Sequence, residues 1–420
     1  MKNLVKVTVC LLILLFLGCN KEDGADNKVT AKERQDIVLT KTQAGYVQEG
    51  NTFACKILSD VLAQQKGSFM ISPLSIRYAL SMLANGASGI TLDELMDLLN
   101  CDSLEIGDVN CFCKYLTEEL LKADNTVEIS LANALVNNSA YSGKMGLKKS
   151  YTSAMENYYD ALINSYDFYT DNANAIKAIN SWADKNTHGM IPDLISNLDG
   201  DTYLLLMNAL FFKGNWNSNV DFKKSDTRKE EFEQEEGGKK IIDIMRMEGS
   251  LAYTANEVCG ILELPYGNGA FRMQVLLPNE GKKVADVAEW LKAGGTYNFF
   301  PAVQVKLKMP KFETGAGVDL SQILREYIPS SFSASADFSE MTDAPVVVSK
   351  VYQKSKIQLD EVGTESAAVT VVEMISTSPG PGGTTQTPQV IEFYATHPFV
   401  YIIREVSTGV MLFAGAFRGE

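Results

Sequence analysis

Residues 361 to 388 place in series two kinds of sequence that an ordinary fold keeps apart. Val369 to Ile375 is a β-prone run. It then breaks into Ser376-Thr377-Ser378-Pro379-Gly380-Pro381-Gly382-Gly383-Thr384-Thr385-Gln386-Thr387-Pro388. The second part has the turn chemistry of an exposed loop and too little apolar surface to pack. The stretch leading into it follows a strict parity. In a strand, alternate residues face alternate sides. Thr364, Ser366, Ala368, Thr370, Val372 and Met374 share one face, all uncharged and the first of them small. Glu365 and Glu373 fall on the other face. The segment is therefore written to be buried on one face as a strand, although an ordinary edge strand would show the same parity. Buried-type sequence feeding an exposed loop is a local conflict, and such conflicts often mark function.

The other patterns describe a mixed α/β (α+β) chain. Phe53 to Val61 has helical spacing of apolar residues, and Ala173 to Asn186 predicts a helix with Gly189 and Pro192 beyond its end. Val127 to Val136 and Val303 to Met309 alternate like strands. Tyr203 to Phe212 is almost continuously apolar, which suits a central strand buried on both faces. Strand-like sequence returns at Gln389 to Tyr394 and Phe399 to Glu405. The 420 residues show no internal repeat, and one large domain accounts for them better than two.

The N-terminus reads as a targeting segment. Lys2 and Lys6 precede an apolar core, Val7 to Leu17, that is too short to span a bilayer as a helix. It ends in Leu15-Phe16-Leu17-Gly18-Cys19, which resembles a bacterial lipobox. That resemblance predicts a signal peptide over 1–18, lipidation of Cys19, and an exported protein anchored at a bacterial outer membrane or cell surface. Residues 19–45 are polar and charged and predict a flexible tether, with a folded domain over 46–420. Cys55, Cys101, Cys111, Cys113 and Cys259 lie within that domain. Cys111 and Cys113 have one residue between them rather than the two of common zinc or redox motifs, so buried apolar thiols are expected.

The formal net charge of −14 argues against a nucleic-acid partner. An enzyme reading finds little support. The two histidines, His188 and His397, have no nucleophile motif of the type Gly-x-Ser-x-Gly, no His-Glu-x-x-His helix and no phosphate-cradling loop beside them. No catalytic residue, metal site or cofactor is expected.

Residues 361 to 370, Glu-Val-Gly-Thr-Glu-Ser-Ala-Ala-Val-Thr, resemble the hinge of inhibitory serpins. Ser68-Phe69-Met70-Ile71-Ser72-Pro73-Leu74-Ser75-Ile76 and Met82 to Ala87 resemble an early helix of that family, and Asn208 to Trp216 its signature central strand. Asn180-Ser181-Trp182, Leu264-Pro265-Tyr266, Leu276-Leu277-Pro278, Met309-Pro310-Lys311-Phe312 and Ala336-Asp337-Phe338-Ser339 follow in family order. The resemblance runs from about residue 50 to the end.

It implies a serpin fold with three β-sheets, eight or nine helices and an exposed reactive-centre loop over about 361–390. It implies a monomer whose partner is a target endopeptidase. The protease cuts the loop, becomes acylated, and is trapped in a covalent complex when the loop inserts into the main sheet. About a dozen inserted residues, at roughly 1 kcal/mol net per backbone hydrogen bond, yield on the order of 10 kcal/mol. That rivals a whole domain's stability, so the uncut form would be kinetically trapped. The hinge would comprise Glu361, Gly363, Thr364, Glu365, Ser366, Ala367 and Ala368. Ser72, Ser75 and Asn208 match a polar cluster that governs sheet opening, with Gln353 where the family often has His. Trp216 and Lys311 match the site where the loop first enters, and Lys311 should pair with Glu361.

The family's usual spacing from Glu361 puts the cut bond at Thr377-Ser378, with Met374, Ile375 and Ser376 as alternatives. No Lys or Arg lies between Lys356 and Arg404, which excludes trypsin-like targets. Small and apolar residues suit elastase-, subtilisin- or papain-like endopeptidases. The alternative is a non-inhibitory serpin-fold surface binding protein.

Overall fold

A computed structural model describes residues 31–101, 104–141, 145–295, 302–315, 317–364 and 390–419. Several expectations fall outside these residues: the signal segment, Cys19 and the start of the tether; hinge residues Glu365, Ser366, Ala367 and Ala368; and the bond candidates Met374, Ile375, Ser376, Thr377 and Ser378.

Eight helices occur among the described residues: α1 (Lys41–Gln64), α2 (Pro73–Ala84), α3 (Gly89–Leu98), α4 (Ile106–Leu120), α5 (Lys149–Tyr159), α6 (Asn172–Asn186), α7 (Val284–Lys292) and α8 (Ser321–Tyr327). Helix α1 starts where Thr40 and Gln43 cap each other. Thr40 Oγ1 accepts the Gln43 amide at 3.3 Å, and Gln43 Oε1 accepts the Thr40 amide at 2.9 Å. Two of the four orphan donors of the first turn are thereby satisfied. Helix α2 starts at a Ser72 cap with Pro73 in the first turn, where a missing N–H costs nothing. Apolar residues surround α2, as befits a helix with no solvent face. It packs against the main sheet on one side and a second sheet on the other.

The main sheet has the order β11-β14-β15-β4-β2-β3, formed by β2 (Val127–Asn138), β3 (Leu162–Tyr166), β4 (Leu204–Asn215), β11 (Phe312–Thr314), β14 (Ile357–Leu359) and β15 (Gly363–Thr364). The apolar run from Tyr203 becomes β4, an interior strand that pairs with β2 over eleven residues of the latter. The second sheet, β1-β18-β17-β9-β8-β7, uses β1 (Phe69–Ile71), β7 (Tyr253–Ala255), β8 (Cys259–Pro265), β9 (Phe271–Pro278), β17 (Phe399–Glu405) and β18 (Met411–Phe417). All of β18 is buried, which its unbroken apolar sequence demands. A third sheet, β16-β10-β6-β5, contains β5 (Arg228–Glu233), β6 (Lys239–Leu251), β10 (Val303–Pro310) and β16 (Ile391–Tyr394).

A two-stranded ribbon joins β12 (Gly317–Asp319) to β13 (Tyr352–Lys354). Its register, Val318 opposite Gln353, continues the register of Phe312 opposite Leu359 in β11 and β14. The ribbon therefore prolongs the outer hairpin of the main sheet. Three large sheets and eight helices agree with the expected architecture.

Two expectations need correction. The tether was drawn to residue 45, yet Ile37 is buried and α1 already begins at Lys41. The polar character of 31–45 belongs to a capped helix start and an extended segment lying on the body. The cysteines were expected to be buried, yet Cys111 is exposed while Cys55, Cys101, Cys113 and Cys259 are buried. Adjacent residues on a helix lie about 100° apart, so in α4 the Cys-Phe-Cys run turns Phe112 and Cys113 inward and Cys111 outward.

Burial pushes the Cys55 and Cys113 thiols up to about 11 and that of Cys259 to about 12, which suppresses the reactive thiolate. At pH 8 a maleimide should modify Cys111 alone among these five in the folded protein. Peptide mass mapping before and after denaturation checks this, and Cys111→Ser should abolish the fast reaction.

Candidate functional site

The upper end of the main sheet is built on a tight turn. Leaving β14, the chain reverses through Asp360-Glu361-Val362-Gly363. The Asp360 amide donates to the Gly363 carbonyl at 2.9 Å, and Asp360 Oδ1 accepts the Val362 amide at 2.8 Å. Gly363 has φ +144°, and a Cβ there would stand 2.3 Å from the Gly214 carbonyl oxygen. Only glycine fits this conformation and this close approach.

Past the turn, β15 lies between two strands. Thr364 is opposite Leu359 of β14 on one side and Gly214 of β4 on the other. Thr364, the first residue of the inward parity face, is already inside the sheet, 3% exposed. Its Oγ1 lies 3.1 Å from the Tyr266 hydroxyl. Thr364 thus faces the core, as the parity required. Burial pushes the Tyr266 phenol well above its usual range, so it stays a neutral hydrogen-bonding group.

Trp216 and Lys311 hold the turn from either side. The Trp216 amide donates to the Val362 carbonyl at 2.9 Å, and its indole Nε1 donates to the Asp360 carbonyl at 3.1 Å. Its ring stacks on Tyr266 with centroids 4.6 Å apart. Lys311 Nζ donates to Glu361 Oε2 at 3.1 Å, the pair the resemblance implied. Thr227 Oγ1 donates to the other carboxylate oxygen at 2.8 Å. Burial alone would raise the Glu361 pKa, but the hydrogen bonds, led by Thr227, with Lys311 beside it, outweigh it and hold the carboxyl below its usual value. Sequence reasoning missed Thr227, which carries no local signal. Tyr266, within Leu264-Pro265-Tyr266, gains its role only from the fold that brings it to Thr364.

Farther down, β4 and β13 flank a cavity of about 640 Å³. Leu206, Val348 and Leu80 line it, together with the polar residues Ser75, Asn208 and Gln353. Among the described residues only the two of β15 lie between β14 and β4. An extended segment could therefore be added along this seam.

The expected polar cluster spans the seam. Gln353 Nε2 donates to the Ser72 carbonyl at 3.1 Å and its Oε1 accepts the Ser72 amide at 2.9 Å. The Ser72 hydroxyl donates to the Leu412 carbonyl at 2.8 Å and accepts the Ser75 amide at 3.2 Å. The Ser75 hydroxyl donates to Asn208 Oδ1, whose amide donates to Asn133 Oδ1 at 2.6 Å. The cap of α2 thus bridges β13 to β4 and β2. Asn133 was not predicted; its hydrophobic neighbours in β2 hide it. Gln353 makes the cyclic pair that an imidazole could make only in part, and it cannot titrate.

Acid–base chemistry finds no constellation here. His188 Nδ1 lies 3.1 Å from Glu128, and its ring stacks on Phe211 at 4.6 Å. Burial lowers the His397 pKa. Among the described residues no group of three His, Cys, Asp or Glu side chains is placed to hold a metal ion.

Comparison with known proteins bears on this geometry. The family model described as "Serpin (serine protease inhibitor)" matches residues 48–418. The protein named Serpin-ZX of Arabidopsis thaliana is 30% identical over 370 residues, covering 84% of this chain and 92% of the relative. Serpin-Z1C of Triticum aestivum is 31% identical over 382 residues, covering 86% and 93%. A solved Arabidopsis serpin in its native stressed conformation superposes with a TM-score of 0.76 at 28% identity, covering 90% of this chain and 98% of its own.

The depressed Glu361 pKa links the turn to pH. A carboxyl whose folded pKa lies below the unfolded value contributes stability that is fully present above the unfolded value, about 4.3. That contribution is lost as pH falls through the lower folded value. The melting temperature of the native protein should therefore drop between pH 5 and pH 3 by more than that of Glu361→Gln. Parallel thermal melts across that range check it.

Proposed function

We propose, from the premise that this chain belongs to the serpin family, that it inhibits an endopeptidase by trapping it as an acyl complex while its own loop inserts between β14 and β4. Family membership by itself generally means protease inhibition rather than catalysis. The single observation that carries the finer reading is Thr364, already paired on both sides at the Gly214 end of β4, whose other end, at Leu204–Asn208, flanks a cavity. A loop cut beyond this point would extend the strand from a start that is nucleated and in register.

Chemistry follows in steps that this chain's residues govern. The protease's own nucleophile would attack the carbonyl before the bond, with Thr377-Ser378 favoured and Met374, Ile375 and Ser376 as alternatives. Cleavage breaks the C–N bond, releases the new amine of the C-terminal side as the leaving group, and keeps the N-terminal side of the loop bound to the protease as an acyl group. Hinge residues Glu365, Ser366, Ala367 and Ala368 then follow Thr364 into the sheet, the small even-numbered side chains passing beneath it. Ser72, Ser75, Asn208 and Gln353 must exchange hydrogen bonds as β4 and β13 separate. Because none of these four ionises near neutrality, the joint should open at a rate that varies little with pH. The lack of Lys and Arg from 357 to 403 directs the reading to elastase-, subtilisin- or papain-like targets.

The test is a panel of these three protease classes, with trypsin as control. A denaturant-resistant covalent complex is expected with at least one of the three and none with trypsin. The cleaved protein should melt well above the intact one. Cleavage without complex and without a rise in melting temperature would leave the alternative, a surface binding protein on the serpin fold.

The anchoring at an outer membrane or cell surface is part of the same proposal, supported by Leu15 to Cys19. Expressed in a bacterium, the wild type should partition into detergent and Cys19→Ala into the aqueous phase. If both remain aqueous, the anchor is lost from the reading.

A further inference from the structure

The extended residues Lys32 to Leu39, before α1, belong to no helix or strand, yet side chains from four separate parts of the body grip their backbone. The Lys32 amide donates to Asn125 Oδ1 at 2.8 Å, and Asn268 Nδ2 donates to the Lys32 carbonyl at 3.3 Å. The Ile37 amide donates to Ser407 Oγ at 2.9 Å, and the Tyr115 hydroxyl donates to the Val38 carbonyl at 2.7 Å. Arg34 reaches the Gly269 carbonyl at 3.5 Å. Ile37 is 7% exposed, and Leu39 packs on the core.

Two short routes lead from this segment to Thr364. Asn125 lies two residues before Val127, which is opposite Gly214 of β4, and Gly214 is opposite Thr364. Asn268 and Gly269 form the turn between β8 and β9, next to Tyr266, whose hydroxyl meets the Thr364 hydroxyl at 3.1 Å. Asp124 fastens the routes together. Its Oδ2 accepts the Asn268 amide at 2.7 Å, while its Oδ1 accepts the Thr126 amide at 2.8 Å. Gly267, at φ +43°, has no room for a Cβ, which would lie 2.3 Å from both Asp124 Oδ2 and Thr126 Oγ1. The Gly267 backbone thus lies directly against the Asp124 and Thr126 side chains, and such close packing transmits displacement rather than absorbing it.

We infer that residues 32–39 are a strap that holds the upper end of the main sheet closed around Thr364, so that loosening the N-terminal segment speeds the opening of that end. Any effect on inhibition rests on the function proposed above; the coupling between strap and sheet does not.

The experiment uses the full chain. Lys32→Pro removes the amide donor to Asn125 without touching the body. Ile37→Ser removes the buried anchor, and Tyr115→Phe serves as a milder variant that loses the hydroxyl bond to the Val38 carbonyl. Hydrogen exchange by mass spectrometry follows peptides covering 210–216 and 357–364, with β17 and β18 as reference. Exchange should rise at least tenfold in the first two while the reference stays unchanged. Unaltered exchange at 357–364 overturns the strap, and so does an equal rise in β17 and β18, which would mean uniform destabilisation. The same proteins are then offered to the protease panel. Absence of complex with every form, wild type included, sinks the inhibitory reading, while the exchange data still decide the strap.

Discussion

Everything at the upper end of this molecule depends on how Gly363 and Thr364 pair between β14 and β4. A strand in the middle of a sheet must be matched on both edges, because buried backbone groups left unmatched cost about as much as lost hydrogen bonds. Among the described residues the match extends over two residues, at Asn215 and Gly214 of β4, and farther along the same strand a cavity lies between Leu204–Asn208 and the ribbon strand β13. The sheet thus carries both a start for one more strand and room to receive it. Filling that room would release hydrogen-bonding and burial free energy that the described arrangement holds back.

Three kinds of contact keep the start in place, and each limits motion differently. Gly363 is sterically committed, since its backbone touches that of Gly214 and Asn215. The Glu361–Lys311–Thr227 contacts are electrostatic and weaken in acid. The Trp216–Tyr266 stack is apolar and insensitive to pH. Below them the α2 cap, Gln353 and Asn208 join the two sides of the cavity through neutral hydrogen bonds. A neutral joint can be remade after the sides move apart, whereas a buried ion pair would leave uncompensated charge on opening. This polarity suits the proposed opening of the sheet onto a new strand.

Much of this was legible before any coordinates. The apolar run at Tyr203 named β4 as interior, and the parity named Thr364 as inward-facing. The Glu361–Lys311 pair followed from family position. What failed to read did so for definite reasons. Polar residues 31–45 look like tether because composition cannot distinguish a solvated chain from one gripped through its backbone. Cys111 was grouped with Cys113 although two helical steps, about 200°, turn it to solvent. Thr227, Tyr266 and Asn133 entered the site only through partners far along the chain.

The sequence by itself determined the family, several of the principal helices and strands, the inward face of Thr364, and the lack of Lys or Arg from 357 to 403. Each of these is local, written in periodicity, in motif or in composition. Tertiary structure alone decided that Thr364 already lies in the sheet, that its hydroxyl meets a tyrosine 98 residues away, and that Lys32 reaches Asn125 across 93 residues. Such contacts depend on how sheets and turns pack around α2, and no short window of sequence contains both partners.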